Sequence, residues 1–313
     1  MKTKVFTAMG PPKLRRLCFV ADQDAAQKAL PKGALGTIGC PTETYTGGFF
    51  GLRLMRRLIW LPLALVAAPC MAWDTPPHQQ ITKAALNTLP KQFLSRLGAE
   101  VKPLIEIYCI YPDRYEEMEH FGFVRKSPGP RTASEIRLYC VRPDGKGIHS
   151  ATGDRETDTG SLVYLIERIL TNLSGNRSGE AARYAGVLSH FIADSFSPPH
   201  AVAAEELLDM VPRPARAGKI DIHQALERSL PEFVLGNRRP RTGANLLATV
   251  NAVLDQCYSG ARQNQMDLPS IVKAACDRDE QTLDRFRLRA GIQAAETLAD
   301  VLYALLSVGA AAQ

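Results

Sequence analysis

The sequence predicts a mostly α-helical protein with a single helical domain and long loops, and two observations support this fold class. Of the 313 residues, 45% are hydrophobic and 22% are charged, a balance typical of globular chains and not of disordered ones. Apolar residues also recur at the three- and four-residue spacing of amphipathic helices, whereas strand-like alternation is scarce. This spacing predicts five helices, at residues 78–97, 161–173, 179–196, 244–258 and 280–306.

The segments between these helices are predicted to be mainly irregular. Proline and glycine mark long loops near residues 122–160 and 207–220. The best candidate for a strand is the short stretch 136–141, and no internal repeat is visible. One helical domain is therefore the simplest architecture for residues 73–313.

The N-terminal region has the three-part pattern of a secretory signal peptide at residues 55–72. A basic pair, Arg56 and Arg57, precedes an apolar run of eleven residues at 58–68, and small residues then lead to a cleavage point before Trp73. The apolar run is well short of the roughly 20 residues that a membrane span needs. We therefore expect an exported protein, periplasmic or secreted, with no membrane span after cleavage.

Residues 1–54 precede this signal and show neither helical nor strand periodicity. We interpret them as an over-extended start or a disordered leader, with Met55 as the true first residue. The formal net charge of +6 belongs to this part of the chain, because residues 1–72 carry ten basic and three acidic side chains. Residues 73–313 carry 28 basic and 29 acidic ones, so their overall charge gives no reason to bind nucleic acid or a membrane surface.

The cysteines agree with export. Four of the seven remain after the predicted cleavage, at Cys109, Cys140, Cys257 and Cys276, and an even number suits an oxidising compartment. The sequence does not fix their connectivity, although we favour the local pairs Cys109–Cys140 and Cys257–Cys276. Four buried free thiols are the alternative.

Histidines and carboxylates form the candidate site. His190 and Asp194 are four residues apart in a predicted helix, and His223 and Glu227 repeat this spacing, so that each pair projects from one helical face. His200 follows just beyond the end of the first of these helices. Imidazole and carboxylate together are ligands that zinc accepts in catalytic sites.

His78, five residues after the predicted new N-terminus, and Asp113 complete a longer array. The array resembles that of the zinc-dependent phospholipase C and single-strand-specific nuclease superfamily. In order along about 155 residues it contains Trp73, His78, Asp113, His190, Asp194, His200, His223 and Glu227. The resemblance implies a mostly helical fold with three zinc ions at the bottom of a cleft.

The resemblance also implies ligands for the first two zinc ions. One ion would be held by the α-amino group and carbonyl oxygen of Trp73, with His78 and Asp194. A second would take Asp113, His190, Asp194 and one further histidine, so that Asp194 bridges the two ions. The α-amino group can bind zinc only after the signal peptide is removed, since a ligand must offer a free lone pair.

The third ion would take His200, His223 and Glu227 plus water. The remaining histidine of the second ion is His120 or His149. His120 precedes an aromatic residue, as the family pattern requires, and lies two helical turns after the aspartate of that set, whereas His149 lies 36 residues after it. We favour His120.

The resemblance implies metal-assisted phosphodiester hydrolysis, with Asp113 and Asp194 as the candidate catalytic residues. Zinc lowers the pKa of water and neutralises charge on phosphoryl oxygens, and Asp113 would orient the attacking water. We expect a monomeric nuclease acting on single-stranded DNA or RNA as an endonuclease, and extend the expectation to 3′-nucleotidase activity. The spacing of Trp73 to His78 resembles the nuclease branch, and so does the gap of 23 residues after His200.

Other functions stay open. Glu227, where the nuclease branch has aspartate, resembles the phospholipase branch, so the first alternative is a phospholipase C that cleaves phosphatidylcholine-type lipids. A nuclease needs aromatic platforms for its bases, for which the candidates are Tyr108, Tyr111, Tyr115 and Phe121. Another phosphoester substrate and a non-catalytic, zinc-stabilised binding protein are the remaining alternatives.

Overall fold

Helices form nearly all of the regular structure in the described part of the chain. The structure is a computed structural model, and it describes residues 75–122, 132–212, 222–236 and 245–308. Eleven α-helices lie within these ranges: α1 (Thr75–Leu86), α2 (Lys91–Leu94), α3 (Val101–Glu106), α4 (Tyr111–Phe121), α5 (Ala133–Cys140), α6 (Arg155–Ser174), α7 (Ser178–Ser195), α8 (Ala204–Met210), α9 (Ile222–Glu227), α10 (Leu246–Asp277) and α11 (Glu280–Val308). Within these ranges there is no strand, and a single isolated bridge joins Val141 to Gly147. The predicted α-helical fold class is confirmed.

Helix α7 is the central element of this fold. All of its residues from 184 to 195 are buried, and it packs against α1, α3 to α6, α10 and α11. A helix that is covered on every side can place polar side chains in the interior, provided that they are paired or bind metal. Three short 3₁₀ turns also lie among the helices: Gly98–Glu100, Tyr108–Ile110 and Pro198–Ala201.

The C-terminal half is dominated by two long helices. Helix α10 has 32 residues and α11 has 29, and they pack against each other after a two-residue connection. Arg278 begins this connection in a left-handed conformation, with φ of 57°, and its N–H donates to the last turn of α10. The long pair closes one side of the core and also contacts α9.

Three features differ from the sequence-based expectations. The helix predicted at 78–97 is interrupted, because Pro90 adopts an extended conformation with ψ of 138° before α2 begins. The strand predicted at 136–141 is wrong, since a capping box between Thr132 and Glu135 starts helix α5 there. The predicted loop at 122–160 therefore contains α5 and the start of α6, and the helix predicted at 244–258 continues to Asp277.

The predicted disulfides are absent from the described residues, where all four cysteines are free thiols. Cys257 and Cys276 both lie on α10, and 19 residues of helix separate them by roughly 28 Å, too far for a bridge. Cys109 instead donates to the carbonyl oxygen of Ile105 at 3.1 Å, and Cys140 is buried at the end of α5. Burial raises the pKa of the Cys109 thiol to about 12, so this group stays protonated.

The described helices include no candidate membrane span. None of them combines the length and the apolar character needed to cross a bilayer. The predicted signal peptide at 55–72 and residues 1–54 lie outside the described residues, as does Trp73.

Candidate metal centre

Five side chains from four parts of the fold meet beside the central helix. We call them the deep cluster: His78 on α1, Asp113 on α4, His149 in the loop before α6, and His190 and Asp194 on α7. Excluding His149, one ligand atom from each of these side chains lies within 4.8 Å of the others. His149 joins through Asp194, whose Oδ2 lies 2.9 Å from its Nε2.

Helix α7 carries His190, and the neighbouring 3₁₀ turn fixes its tautomer. The ring Nδ1–H donates to the carbonyl oxygen of Cys109 at 2.9 Å, which leaves Nε2 as the atom facing the cluster. This bond requires the 3₁₀ turn that contains Cys109 to approach α7 closely. Gly186 permits the approach, because a Cβ atom built there would lie only 2.4 Å from the Cβ of Tyr108.

Helix α1 brings His78 against the same face of α7. The two imidazoles of His78 and His190 stack with ring centroids 4.1 Å apart and planes inclined by 15°. One turn further along α1, the hydroxyl of Thr82 donates to the His78 carbonyl oxygen and lies 2.6 Å from the hydroxyl of Ser189. These buried contacts tie α1 to α7 and hold the His78 ring in place.

The two aspartates divide the deep cluster into two sides. Oδ1 of Asp194 faces His78, with its nearest contact to Nε2 at 3.3 Å, whereas Oδ2 lies 2.9 Å from Nε2 of both His190 and His149. Asp113 repeats the division at longer range, with Oδ2 3.8 Å from His78 and Oδ1 3.5 Å from His190. Each carboxylate can therefore contribute one oxygen to each side.

The structure places His149, and not the favoured His120, in this cluster. His120 lies on the exposed face of α4, where its Nδ1 donates to the Glu116 carbonyl oxygen at 2.9 Å. His149 has Nε2 near both aspartates, while its Nδ1 lies 3.0 Å from the Glu116 carboxylate. Glu116 was missed by the sequence analysis, although its spacing of three residues from Asp113 puts both on one face of α4.

The loop that carries His149 is held by a buried carboxylate. Asp158 is 1% exposed and accepts hydrogen bonds from the backbone N–H groups of Thr152 and Gly153, the Thr152 hydroxyl and the Tyr258 hydroxyl. The N–H of Ala151 donates to the hydroxyl of Ser195 on α7. The loop is thus fastened to α6, α7 and α10 a few residues after His149.

The two aspartates have opposite electrostatic environments. Burial raises the pKa of Asp113 to about 7, against the opposing effect of His190 and His149. Burial would raise the pKa of Asp194 as well, but the charges of His190 and His78 and the contact with His149 hold it well below its usual range. Asp194 is thus a permanent anion, whereas Asp113 can exchange a proton near neutral pH.

A second group, the outer cluster, consists of His200, His223 and Glu227, whose ligand atoms also lie within 4.8 Å of one another. His200 is in the 3₁₀ turn after α7, and the other two are on α9. Their side chains are 15%, 20% and 5% exposed in that order, so the cluster is open on one side. The ring centroids of His149 and His200 are 6.0 Å apart, and the two clusters are therefore neighbours.

The deep cluster has the properties of a metal site. Among the described residues, both ring nitrogens of His78, Nε2 of His190 and both carboxylate oxygens of Asp194 are buried without a well-directed hydrogen bond. Buried polar atoms are rarely left in this state. Imidazole and carboxylate atoms that converge without satisfying one another fit zinc, whose ligands in proteins are these groups.

Residues 77–277, more than half of the chain, match the family model described as zinc dependent phospholipase C. The chain belongs to this family. It is accordingly a zinc-dependent hydrolase of phosphoesters, and the matched stretch includes every residue of the deep and outer clusters. No curated protein and no solved structure matches the chain.

Proposed function

We propose that this protein is an exported phosphodiester hydrolase that uses three zinc ions to cleave phospholipids of the phosphatidylcholine type. One observation carries the proposal: a buried set of carboxylates and imidazoles lies beside a second set that is open to solvent. The family match supports a phospholipid as the substrate class.

Two of the zinc ions would be bound in the deep cluster. Asp194 would bridge them, because its oxygens face His78 on one side and His190 with His149 on the other. The free α-amino group of Trp73, released by signal cleavage, would complete the first set of ligands. This role for the new N-terminus rests on the resemblance to the superfamily, and it makes export a condition for a complete site.

The third zinc ion would be bound in the outer cluster by His200, His223 and Glu227. Three protein ligands leave a position open, which is typical of catalytic zinc sites and distinguishes this cluster from a closed structural site. The partial exposure of both histidines gives a phosphate group access to that position.

The zinc ions would supply two effects, a lower pKa for water and neutralisation of charge on the phosphoryl oxygens. The protein's own groups would do the rest. Asp113 is 8% exposed at its side chain, and its carboxylate would orient a water molecule beside the ions. Glu116 holds the ring of His149 through Nδ1, so that Nε2 stays directed at the cluster.

Single-stranded nucleic acid is the second candidate substrate, favoured by the five-residue spacing from Trp73 to His78. Burial of three of the four candidate base platforms weakens this candidate, and the side chain of the fourth, Phe121, lies outside what the structure describes. Tyr108, Tyr111 and Tyr115 are each at least 93% buried and belong to the hydrophobic core, so that they present no ring to a base.

A paired assay tests the proposal. Protein that begins at Trp73 is incubated with phosphatidylcholine vesicles and, separately, with single-stranded DNA, each with and without chelator. We expect release of diacylglycerol from the vesicles, its loss on chelation and its recovery with zinc. Cleavage of DNA alone would replace the phospholipid with the second candidate, and activity that survives chelation would contradict zinc-dependent hydrolysis altogether.

Two matched variants test the residues. His149→Ala should abolish zinc-dependent activity and release metal, because His149 would be a ligand in the deep cluster. His120→Ala removes an exposed imidazole from the neighbouring helix and should change neither. The opposite result would restore His120 as the ligand.

A further inference from the structure

The helix that carries two ligands of the outer cluster is short, and its side chains Ile222 and Leu226 pack into a hydrophobic cluster. Helix α9 contains six residues, Ile222–Glu227, and residues 228–236 after it form no regular structure. A single helical turn and a half is not stable by itself and depends on tertiary contacts. Something outside α9 must therefore fix the direction of His223 and Glu227.

Arg287 on α11 makes that contact. It is the largest side chain in the described residues that is fully buried, at 0% exposure. Its guanidinium donates to the carbonyl oxygens of Ala225 and Leu226, the two residues directly before Glu227. These carbonyls belong to the C-terminal turn of α9, where helical acceptors lack partners and a positive charge is favourable.

The other side of the guanidinium is held just as firmly. Its Nη1 donates to Asp284 at 2.7 Å and to Glu280 at 3.0 Å, both on α11. A buried charge is costly unless it is paired, so the guanidinium has little freedom to move. Rotation or withdrawal of α9 would break two hydrogen bonds to this buried cation.

We propose that Arg287 is a positioning residue for the outer zinc site, which sets the direction of Glu227 by holding the backbone of α9. The inference rests on the proposed function, because it takes the outer cluster to bind zinc. Arg287 lies beyond residues 77–277, so this support comes from a part of the chain that the family match does not cover. The hydrogen bonds from Arg287 to α9 go to backbone carbonyl oxygens.

Zinc titrations against a competing chelator test the inference, with folding followed by circular dichroism. Arg287→Met should weaken zinc at the outer site by roughly 10- to 100-fold, the range found for groups that orient metal ligands, and leave the deep site unchanged. In Glu227→Ala protein, which has lost the outer zinc, adding Arg287→Met should leave the zinc affinity of the deep cluster unchanged. Loss of a general structural contact would instead weaken zinc binding in the deep cluster as well.

Two more variants complete the design. Arg287→Lys keeps the buried charge but lacks the planar fork, and should fold while binding the outer zinc at least about threefold more weakly. Arg228→Met is the control, because exposed Arg228 also pairs with Glu280. The Arg228→Met protein should bind zinc as tightly as wild type. If Arg287→Met does not fold, the result for Arg287→Lys decides the test.

The outcomes separate the inference from the proposed function. If wild-type protein binds a zinc ion that Glu227→Ala removes, but Arg287→Lys binds that ion as tightly as wild type, only the role of Arg287 is wrong. If wild-type protein binds no zinc that depends on Glu227, the outer site and the inference both fail.

Discussion

The deep cluster takes four of its five side chains from helices of 11 to 18 residues that pack into the core, whereas the outer cluster uses a 3₁₀ turn and a six-residue helix. Side chains of His78, His190 and Asp194 are fully buried, while those of His200 and His223 are 15% and 20% exposed. The comparison teaches that one fold can orient candidate metal ligands in two ways. Core packing orients the deep ligands, and a few specific contacts orient the outer ones.

Loss of the shared aspartate should have the largest effect. Asp194→Asn removes an anion that faces both sides of the deep cluster, so we expect two zinc ions to be lost together. Activity should fall by roughly 1000-fold or more, since several kcal/mol of transition-state stabilisation come from such ions. Metal analysis and initial rates measure both effects, with exposed Asp255→Asn as the control. Loss of one zinc only would show that Asp194 does not bridge.

A change in the outer cluster should be more limited. Glu227→Ala should remove one zinc ion and lower activity by about 100-fold, with the two deep ions retained because their ligands are untouched. The thermal unfolding midpoint at saturating zinc should change less than in Asp194→Asn protein. Concurrent loss of deep zinc would contradict the separation of the two clusters.

The loop that holds His149 should give a smaller effect again. Asp158→Asn replaces one acceptor oxygen by a donor and so weakens the hydrogen bonds to Thr152 and Gly153. We expect zinc affinity in the deep cluster to drop by about tenfold, as for other groups that orient ligands. Tyr258→Phe removes only the hydrogen bond from Tyr258 to Asp158, so its effect on zinc affinity should be smaller. Unchanged zinc affinity in both variants would mean that the Asp158 hydrogen bonds do not position His149.

The smallest effect concerns the pH dependence of stability without metal. The folded-state pKa of Asp113 is raised from 3.8 to about 7, so its contribution to stability is complete below about pH 4 and is lost as pH rises through 7. His149 has a pKa raised well above 6.5 by the carboxylates of Asp194 and Glu116, which outweigh its burial, and its contribution is also lost as pH rises.

The unfolding midpoint in chelator should therefore fall between pH 6 and pH 8, by about 2–4 °C for each kcal/mol lost. With zinc it should rise over the same range, because metal binds the deprotonated ligands. Differential scanning calorimetry at both pH values is the measurement. A midpoint that rises with pH in chelator would contradict the electrostatics described for the deep cluster.

The sequence predicted those parts of the site whose geometry is local. His190 with Asp194, and His223 with Glu227, are paired by helical spacing alone, and the structure places each pair as expected. Helical spacing could not favour His149 over His120. The loop of His149 is held by Asp158, which in turn pairs with Tyr258, 100 residues further along the chain. Contacts of that kind are absent from any local pattern.

The errors in the fold have similar causes. The strand predicted at 136–141 ignored a capping signal four residues long, Thr132 to Glu135, which was present in the sequence. The pairing of Cys257 with Cys276 assumed that nearby cysteines meet, although a continuous helix keeps them apart. The role of Arg287 follows from burial and backbone contacts, and no motif indicates it.

The tautomer of His190 has an unusual dependence on mutation. Its proton is held by a main-chain oxygen, so exchanging the side chain of Cys109 leaves the acceptor in place. Sensitivity moves instead to Gly186, where even one methyl group would collide with Tyr108 and push that oxygen away. The residue on which this tautomer depends is therefore one with no side chain at all, a full helical turn from the ring.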